Sequence, residues 1–239
     1  VCLVYPNTYF VGMSSLGFQA IYHLLNSHGG VVCERAFAPD KEELADLERR
    51  GGGLVSYESQ TALHEFDVIA FSVSYELDYM NVARVLRLAK VPVMRGEREE
   101  HHPLVLAGGA AVSINPEPLA ELVDVFVIGE GEEVTGELVS ALRGGGRAEV
   151  LGRVAEVEGV YVAGGNGGML RCAQDDRRGE AGVGTPALQR RYVRDLDEWP
   201  THSRVLTRET EFGELFMVEV SRGCGRRCKF CVTPRATGR

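Results

Sequence analysis

Along the first 143 residues, short apolar runs alternate with segments whose apolar positions recur at helical spacing. Val1–Tyr5 is a continuous apolar run closed by Pro6-Asn7 and predicts a buried strand. Ser14 or Ser15 can cap the helix that follows, through about Ser27. Leu16, Ala20 and Leu24, with Phe18, Ile21 and Leu25 beside them, make its apolar face, and Gly29-Gly30 stops it. Val31–Phe37 predicts the next strand. Asp40 caps a helix over Lys41–Arg50, which Gly51-Gly52-Gly53 ends. Asp67–Tyr75 (DVIAFSVSY) is apolar almost throughout, as a strand covered on both faces should be. A helix over about Tyr79–Lys90 and a charged loop, Arg95–His102, follow. Leu104–Ala107 predicts a strand running into Gly108-Gly109, Leu119–Val123 a short helix, Val125–Ile128 a strand and Glu132–Arg143 a helix. Strands alternating with helices predict an α/β fold, a parallel sheet with right-handed crossovers.

Gly144-Gly145-Gly146 marks a predicted boundary, so residues 1–143 read as one domain. Residues 144–213 read as a linker. Within it Gly159–Ala163 and Met169–Cys172 predict a small hairpin, and residues 173–191 are polar and glycine-rich. Leu215–Val220 predicts a strand, and residues 214–239 read as the start of a further unit. No repeat of fixed period is present.

Composition narrows the class. Of 239 residues, 44% are hydrophobic and 25% charged, ordinary globular usage that excludes a disordered or fibrous chain. No apolar run approaches the roughly 20 residues of a membrane span, so no membrane partner is expected. The 26 basic and 34 acidic residues leave a net charge of −8, which does not indicate nucleic-acid binding. That charge is unevenly placed. Arg222, Arg226, Arg227, Lys229, Arg235 and Arg239 follow Ser221 with no acidic residue among them. A short cationic end on an acidic body points to a local site for an anion or a reduced cluster.

Of six cysteines, Cys2, Cys33 and Cys172 are scattered, while Cys224, Cys228 and Cys231 fall within eight residues. At this density a disulfide framework is not expected. Close thiols read as metal ligands in a reducing cytoplasm. The spacing C-x-x-x-C-x-x-C, directly after a predicted strand, lets one loop wrap three thiolates around a cubane iron–sulfur cluster. Three ligands for four irons leave one iron open, as a reacting metal site requires. The basic residues from Arg222 to Arg235 would offset the charge of such a cluster. A structural zinc site in a non-catalytic interaction module is the alternative. Zinc wants four N/S ligands, and Cys172 or His202 would have to supply the fourth.

The spacing, Phe230 before the last cysteine, and the Ser221-Arg222-Gly223 that leads into the motif resemble the signature of radical S-adenosylmethionine (radical SAM) enzymes. The resemblance implies that Cys224, Cys228 and Cys231 hold a 4Fe–4S cluster and that Phe230 lies near the cofactor. It further implies that the open iron takes S-adenosylmethionine, and that one electron, from a donor such as flavodoxin or ferredoxin, cleaves it to a 5′-deoxyadenosyl radical. Residues 214–239 would then begin a (β/α) barrel.

The alternating region likewise resembles the flavodoxin-like, cobalamin-binding domain that often precedes such a barrel. The positions matching its ligand crevice are Tyr9 and Gly12 after the first strand, Ser72 and Ser74, Gly108-Gly109, and Gly129-Glu130. Glycines there would allow close approach of a large flat ligand. The sequence departs from the pattern D-x-H-x-x-G, in which the histidine binds cobalt. Here Asn7-Thr8-Tyr9-Phe10-Val11-Gly12 puts Tyr9 at that place, and a phenol titrating at about 10 is a poor cobalt ligand at neutral pH. A methylthiotransferase, a relative with three further cysteines in its N-terminal domain, fits less well, since Cys2 and Cys33 lie on predicted strands. His101-His102 reads as a solvated pair, and Glu130, Glu132 and Glu133 as carboxylates that favour a helix start. Beginning at Val1 inside a strand and ending eight residues after Cys231, the sequence reads as a fragment. Alone it is expected to be inactive, with substrate specificity outside it.

Overall fold

A computed structural model describes residues 1–164, 190–226 and 228–232. Its centre is a six-stranded sheet in the order β2-β1-β3-β4-β5-β6. The strands are β1 (Cys2–Tyr5), β2 (Glu34–Phe37), β3 (Val68–Ser72), β4 (Leu104–Gly108), β5 (Val125–Val127) and β6 (Val160–Val162). The first five run parallel, and β6 closes the edge antiparallel to β5, with Phe126 opposite Tyr161. The helices are α1 (Tyr9–Met13), α2 (Leu16–Ser27), α3 (Lys41–Arg50), α4 (Tyr79–Leu88), α5 (Ala110–Ile114), α6 (Gly131–Ala141) and α7 (Arg147–Val154). This is the flavodoxin-like arrangement expected from the sequence, with its switch point between β1 and β3.

Strand alternation divides the core between two faces. Cys2 and Val4 point to one side with Ile69, Phe71, Val105 and Phe126, beneath Val82, Val85 and Leu86 of α4. Leu3 and Tyr5 point to the other with Phe18 and Leu25 of α2. Val68, Leu104 and Leu106 join that second side under α6 and α7. The inner strands β1, β3, β4 and β5 are apolar on both faces because helices cover both, whereas the edge strand β2 carries Glu34 and Arg35.

Local chemistry sets the helix ends. The Ser15 hydroxyl accepts from Phe18 N at the start of α2. Asp40 and Glu43 form a reciprocal capping box on α3, and Gly51 closes that helix in the left-handed region.

Several expectations are corrected. The sheet continues past Gly144-Gly145-Gly146, since α7 and β6 follow it and β6 is a full member of the sheet. The expected hairpin is described in its first arm alone. Gly159–Ala163 pairs with β5, while Met169–Cys172 lies outside the described residues. Leu119–Val123 is not a helix; a three-residue 3-10 turn, Glu117–Leu119, carries the chain to β5. Tyr9–Met13 forms a one-turn helix that the apolar pattern alone did not predict.

The charged loop Arg95–His102 hides a buried group. The Arg98 side chain is fully buried and donates to Asp124 at 2.9 Å, while Arg147 approaches the same carboxylate oxygen at 2.7 Å. This knot lies at the amino end of β5. No helix among the described residues is long and apolar enough to cross a membrane.

Candidate functional site

In open α/β sheets, ligands sit beyond the carboxyl ends of the strands. Here the chain itself returns across that edge. Arg191 pairs parallel with Gly129, the second residue after β5. Glu130 accepts from Val193 N at 2.6 Å. The Gln19 side chain, buried at the start of α2, accepts from the backbone N–H groups of Arg204 and Val205 at 2.8 and 3.0 Å. Ser14 accepts from Glu211 N at 3.0 Å. The return thus crosses from β5 to the first helices of the fold.

The run 215–220 is not the strand that its apolar residues predict. It forms a single antiparallel bridge, His202 to Val218. Three hydrogen bonds flank that bridge: Ser203 N to Met217 O, Met217 N to the Ser203 hydroxyl, and Glu219 N to Thr201 O. Phe216, Val218 and Val220 stay exposed, so no buried face rewards a longer ladder.

The cysteine loop leaves this bridge through Arg222. The guanidinium donates from Nε to Glu219 at 3.0 Å, and from Nη2 to Glu219 and Glu132, each at 2.7 Å. Its Nη1 lies 3.4 Å from Glu130. Burial alone would lower the Arg222 pKa, but the hydrogen bonds to Glu219 and Glu132 outweigh it and hold the group firmly charged. Glu132 and Glu133 occupy the first turn of α6, where the helix dipole favours carboxylates. Arg191 is gathered onto the same helix by Glu133 and Glu137, with Glu158 nearby. Arg222 therefore does not belong with the cations free to offset a cluster's charge, as the sequence suggested. Both arginines sit within an acidic helix start from 54 to 90 residues away in sequence.

Beyond Arg222, Gly223 takes φ +90° and turns the chain outward. Cys224 and Cys228 are exposed and Cys231 is partly exposed, and none of the three is in a disulfide. Cys231 N donates to Cys228 O at 3.2 Å, so these two share one turn. Phe230 is 93% exposed. Among the described residues, no group of three or more His, Cys, Asp or Glu side chains is assembled as a metal cage. The donor set nevertheless fits an iron–sulfur cluster in kind: three at least partly exposed thiols on one loop, none in a disulfide. The zinc alternative gains no fourth ligand from His202, which stacks on Phe216 at 5.6 Å; Cys172 lies outside the described residues.

Cys2 and Cys33 are buried in the core. Desolvation pushes the Cys33 thiol up to about 12 and that of Cys2 higher still. His101 is exposed, and His102 accepts from Glu99 N through Nδ1.

The positions matched to a cobalamin crevice are occupied by the chain. The Tyr9 ring stacks on Tyr57 at 5.1 Å and meets Phe37 edge-on at 5.0 Å. A Cβ on Gly12 would lie 2.5 Å from the Phe37 ring. On Gly109 (φ +109°) it would lie 2.5 Å from Val73 O, and on Gly129 (φ +110°) 2.2 Å from Arg191 O. On Gly108 it would rest 3.6 Å from Val127 Cβ. Ser72 ends β3 opposite Gly108; Ser74 lies two residues beyond, near the buried Tyr5 phenol. These glycines serve close approach of the protein to itself. The residues present do not fit cobalamin.

The comparisons agree with this architecture. The family model for radical SAM proteins, N-terminal, matches residues 17–163, about three fifths of the chain. Uncharacterized protein MJ0966 of Methanocaldococcus jannaschii is 26% identical over 236 residues, covering 97% of this chain and 40% of its own length. The chain thus spans well under half the length of that relative. No solved structure matches significantly. The family match ends at Ala163, the residue after β6, so it covers α2 to the last strand and stops short of the cysteine loop. The match over residues 17–163 places this chain in the radical SAM family, as a protein carrying that family's N-terminal domain.

Proposed function

We propose that the protein containing this chain is a radical SAM enzyme whose 4Fe–4S cluster is held by Cys224, Cys228 and Cys231. One observation carries the reading: three cysteines outside any disulfide, at C-x-x-x-C-x-x-C spacing, sit on one outward loop, joined to a domain whose family implies such a cluster and S-adenosylmethionine. When bound, the cluster would supply an open iron for S-adenosylmethionine and the electron that breaks its sulfonium bond.

The chain's own residues do the rest. Gly223 lets the loop turn outward beside Arg222. Arg226 and Lys229 remain as cations beside the thiolates. Phe230, the most exposed large hydrophobic side chain among the described residues, is available to cover the cofactor. Deep burial of Cys2 and Cys33 speaks against a second cluster in this domain and so against a methylthiotransferase. Cobalamin takes no part in the reading. An electron donor of the flavodoxin or ferredoxin type and a reducing, cytoplasmic setting follow from the same chemistry.

Anaerobic reconstitution of the full-length protein with iron and sulfide tests it. About four irons per chain are expected from the cluster type, with loss of the cluster in Cys224→Ala, Cys228→Ala and Cys231→Ala. Full iron content in Cys228→Ala, or one zinc per chain, would overturn it.

A further inference from the structure

Of the two arginines drawn to α6, Arg222 reaches its acidic first turn across 90 residues of sequence. That arginine stands two residues before Cys224. We propose that Arg222 is a positioning residue: its guanidinium, shared by Glu130, Glu132 and Glu219, fixes the start of the cysteine loop on the N-terminal domain. The proposal rests on the reading of that loop as the cluster site.

The geometry favours positioning over a general surface attraction. Nε and Nη2 both engage Glu219, and Nη2 also donates to Glu132. A forked arrangement fixes direction as well as distance, which a single lysine ammonium does not. The arginine side chain is 16% exposed, and Glu132 and Glu130 are 9% and 11% exposed. The knot is thus withdrawn from the screening that weakens open pairs. Its scaffold is anchored independently. Glu132 lies in α6, whose Val134 and Leu138 are buried under the sheet. Glu219 is tied to Thr201 by its N–H.

Reach then does the work. Consecutive Cα atoms are about 3.8 Å apart, so Cys224 lies within roughly 7.5 Å of the Arg222 Cα, while Cys228 has about three times that freedom. The clamp therefore fixes the first thiol and leaves the other two, which share one turn, to close on a cluster. Arg191 gives the returning segment a second anchor on α6. With the chain held at both ends of its crossing, the loop cannot drift along the sheet edge.

Amide hydrogen exchange and electron paramagnetic resonance on the full-length protein test the proposal. In Arg222→Ala, the N–H groups of Met217 and Glu219 should exchange about tenfold faster, while Val68–Ser72 of β3 keep their protection. Arg222→Lys, which keeps the charge and loses the fork, should recover part of that protection. After reconstitution, the spectrum of the reduced cluster should change in Arg222→Ala and return toward the wild-type form in Arg222→Lys. Unchanged exchange at Met217 and Glu219, or an unchanged spectrum in Arg222→Ala, would overturn the positioning role. Failure of the wild-type protein to take up iron would instead overturn the cluster reading, and the exchange data would still decide whether the clamp holds the loop.

Discussion

Replacing Asp124 by alanine should be among the most damaging single changes in the sheet domain. Its carboxylate accepts from Arg98 at 2.9 Å and from Val105 N at 2.8 Å, and Arg147 lies 2.7 Å from the same oxygen. The side chains of Arg98 and Asp124 are 0% and 6% exposed. Arg98 also donates to the carbonyls of Pro92, Val93 and Leu122. In Asp124→Ala those bonds remain, so the cost is chiefly that of a buried positive charge left without a counter-ion. Burial already lowers the Arg98 pKa, with the Asp124 carboxylate opposing the shift. Removing one partner of a buried pair costs about 3–5 kcal/mol. At about 2–4 °C per kcal/mol for a chain of this size, the midpoint should fall by roughly 6–20 °C. Asp124→Asn keeps an acceptor and loses the charge, so it should fall between alanine and wild type. Urea and thermal unfolding of the chain measure both. A loss under about 1 kcal/mol for Asp124→Ala, the range of exposed pairs, would refute the reasoning.

Two further outcomes follow from the backbone and from pH. Gly109→Ala should destabilise by more than about 2 kcal/mol, since its φ of +109° and a Cβ 2.5 Å from Val73 O leave no room. Gly17→Ala in α2, with open space around it, should instead stabilise by about 0.5–1 kcal/mol; urea midpoints compare the two. Desolvation raises the Asp78 pKa above its ordinary 3.8, with hydrogen bonds from Asn7 and Asn81 opposing the shift. The folded state therefore holds this proton more tightly than the unfolded chain. The Asp78 contribution should decline as pH rises from about 3.8 through the raised folded value and level off above it. Unfolding midpoints from pH 3.5 to 7 should show that decline removed in Asp78→Asn; an unchanged slope would exclude Asp78 as its source.

The parts of the fold legible in the sequence are those governed by neighbours. Ser15 and Asp40 cap the helices they precede because capping needs only the next two or three residues. The DVIAFSVSY run becomes β3 because covering helices flank it in sequence order. What was not legible depends on distant partners. Leu215–Val220 has the composition of a strand, yet with only Thr201–Ser203 beside it the ladder stops at one bridge. The glycine run at 144–146 resembles a boundary, but the edge of β5 still needed a partner and β6 supplied it. Arg98 sits in a charged loop, and only Asp124, 26 residues on, explains its burial. The glycines after β4 and β5 carry the correct signal of close approach; what approaches is Val73 and Arg191. The cysteine motif was legible because its three cysteines are close in sequence, whereas the proposed arginine clamp is made of residues far apart.

The two arginine–carboxylate knots bracket β5 and show why one kind of interaction can serve two ends. Asp124 precedes the strand and Glu130 follows it, about 20 Å apart at strand rise. At the amino end one carboxylate faces two arginines and is almost wholly buried. Its loss leaves a charge that water cannot reach, and stability suffers. At the carboxyl end three carboxylates face Arg222, which remains 16% exposed. Removing that arginine leaves carboxylates that water can partly solvate, beside a helix dipole that favours them. The sheet should survive, while the loop it anchored loses its place. A knot that ties a working segment to a scaffold is best built where its removal costs little of the fold, and the open carboxyl edge of a parallel sheet is such a place.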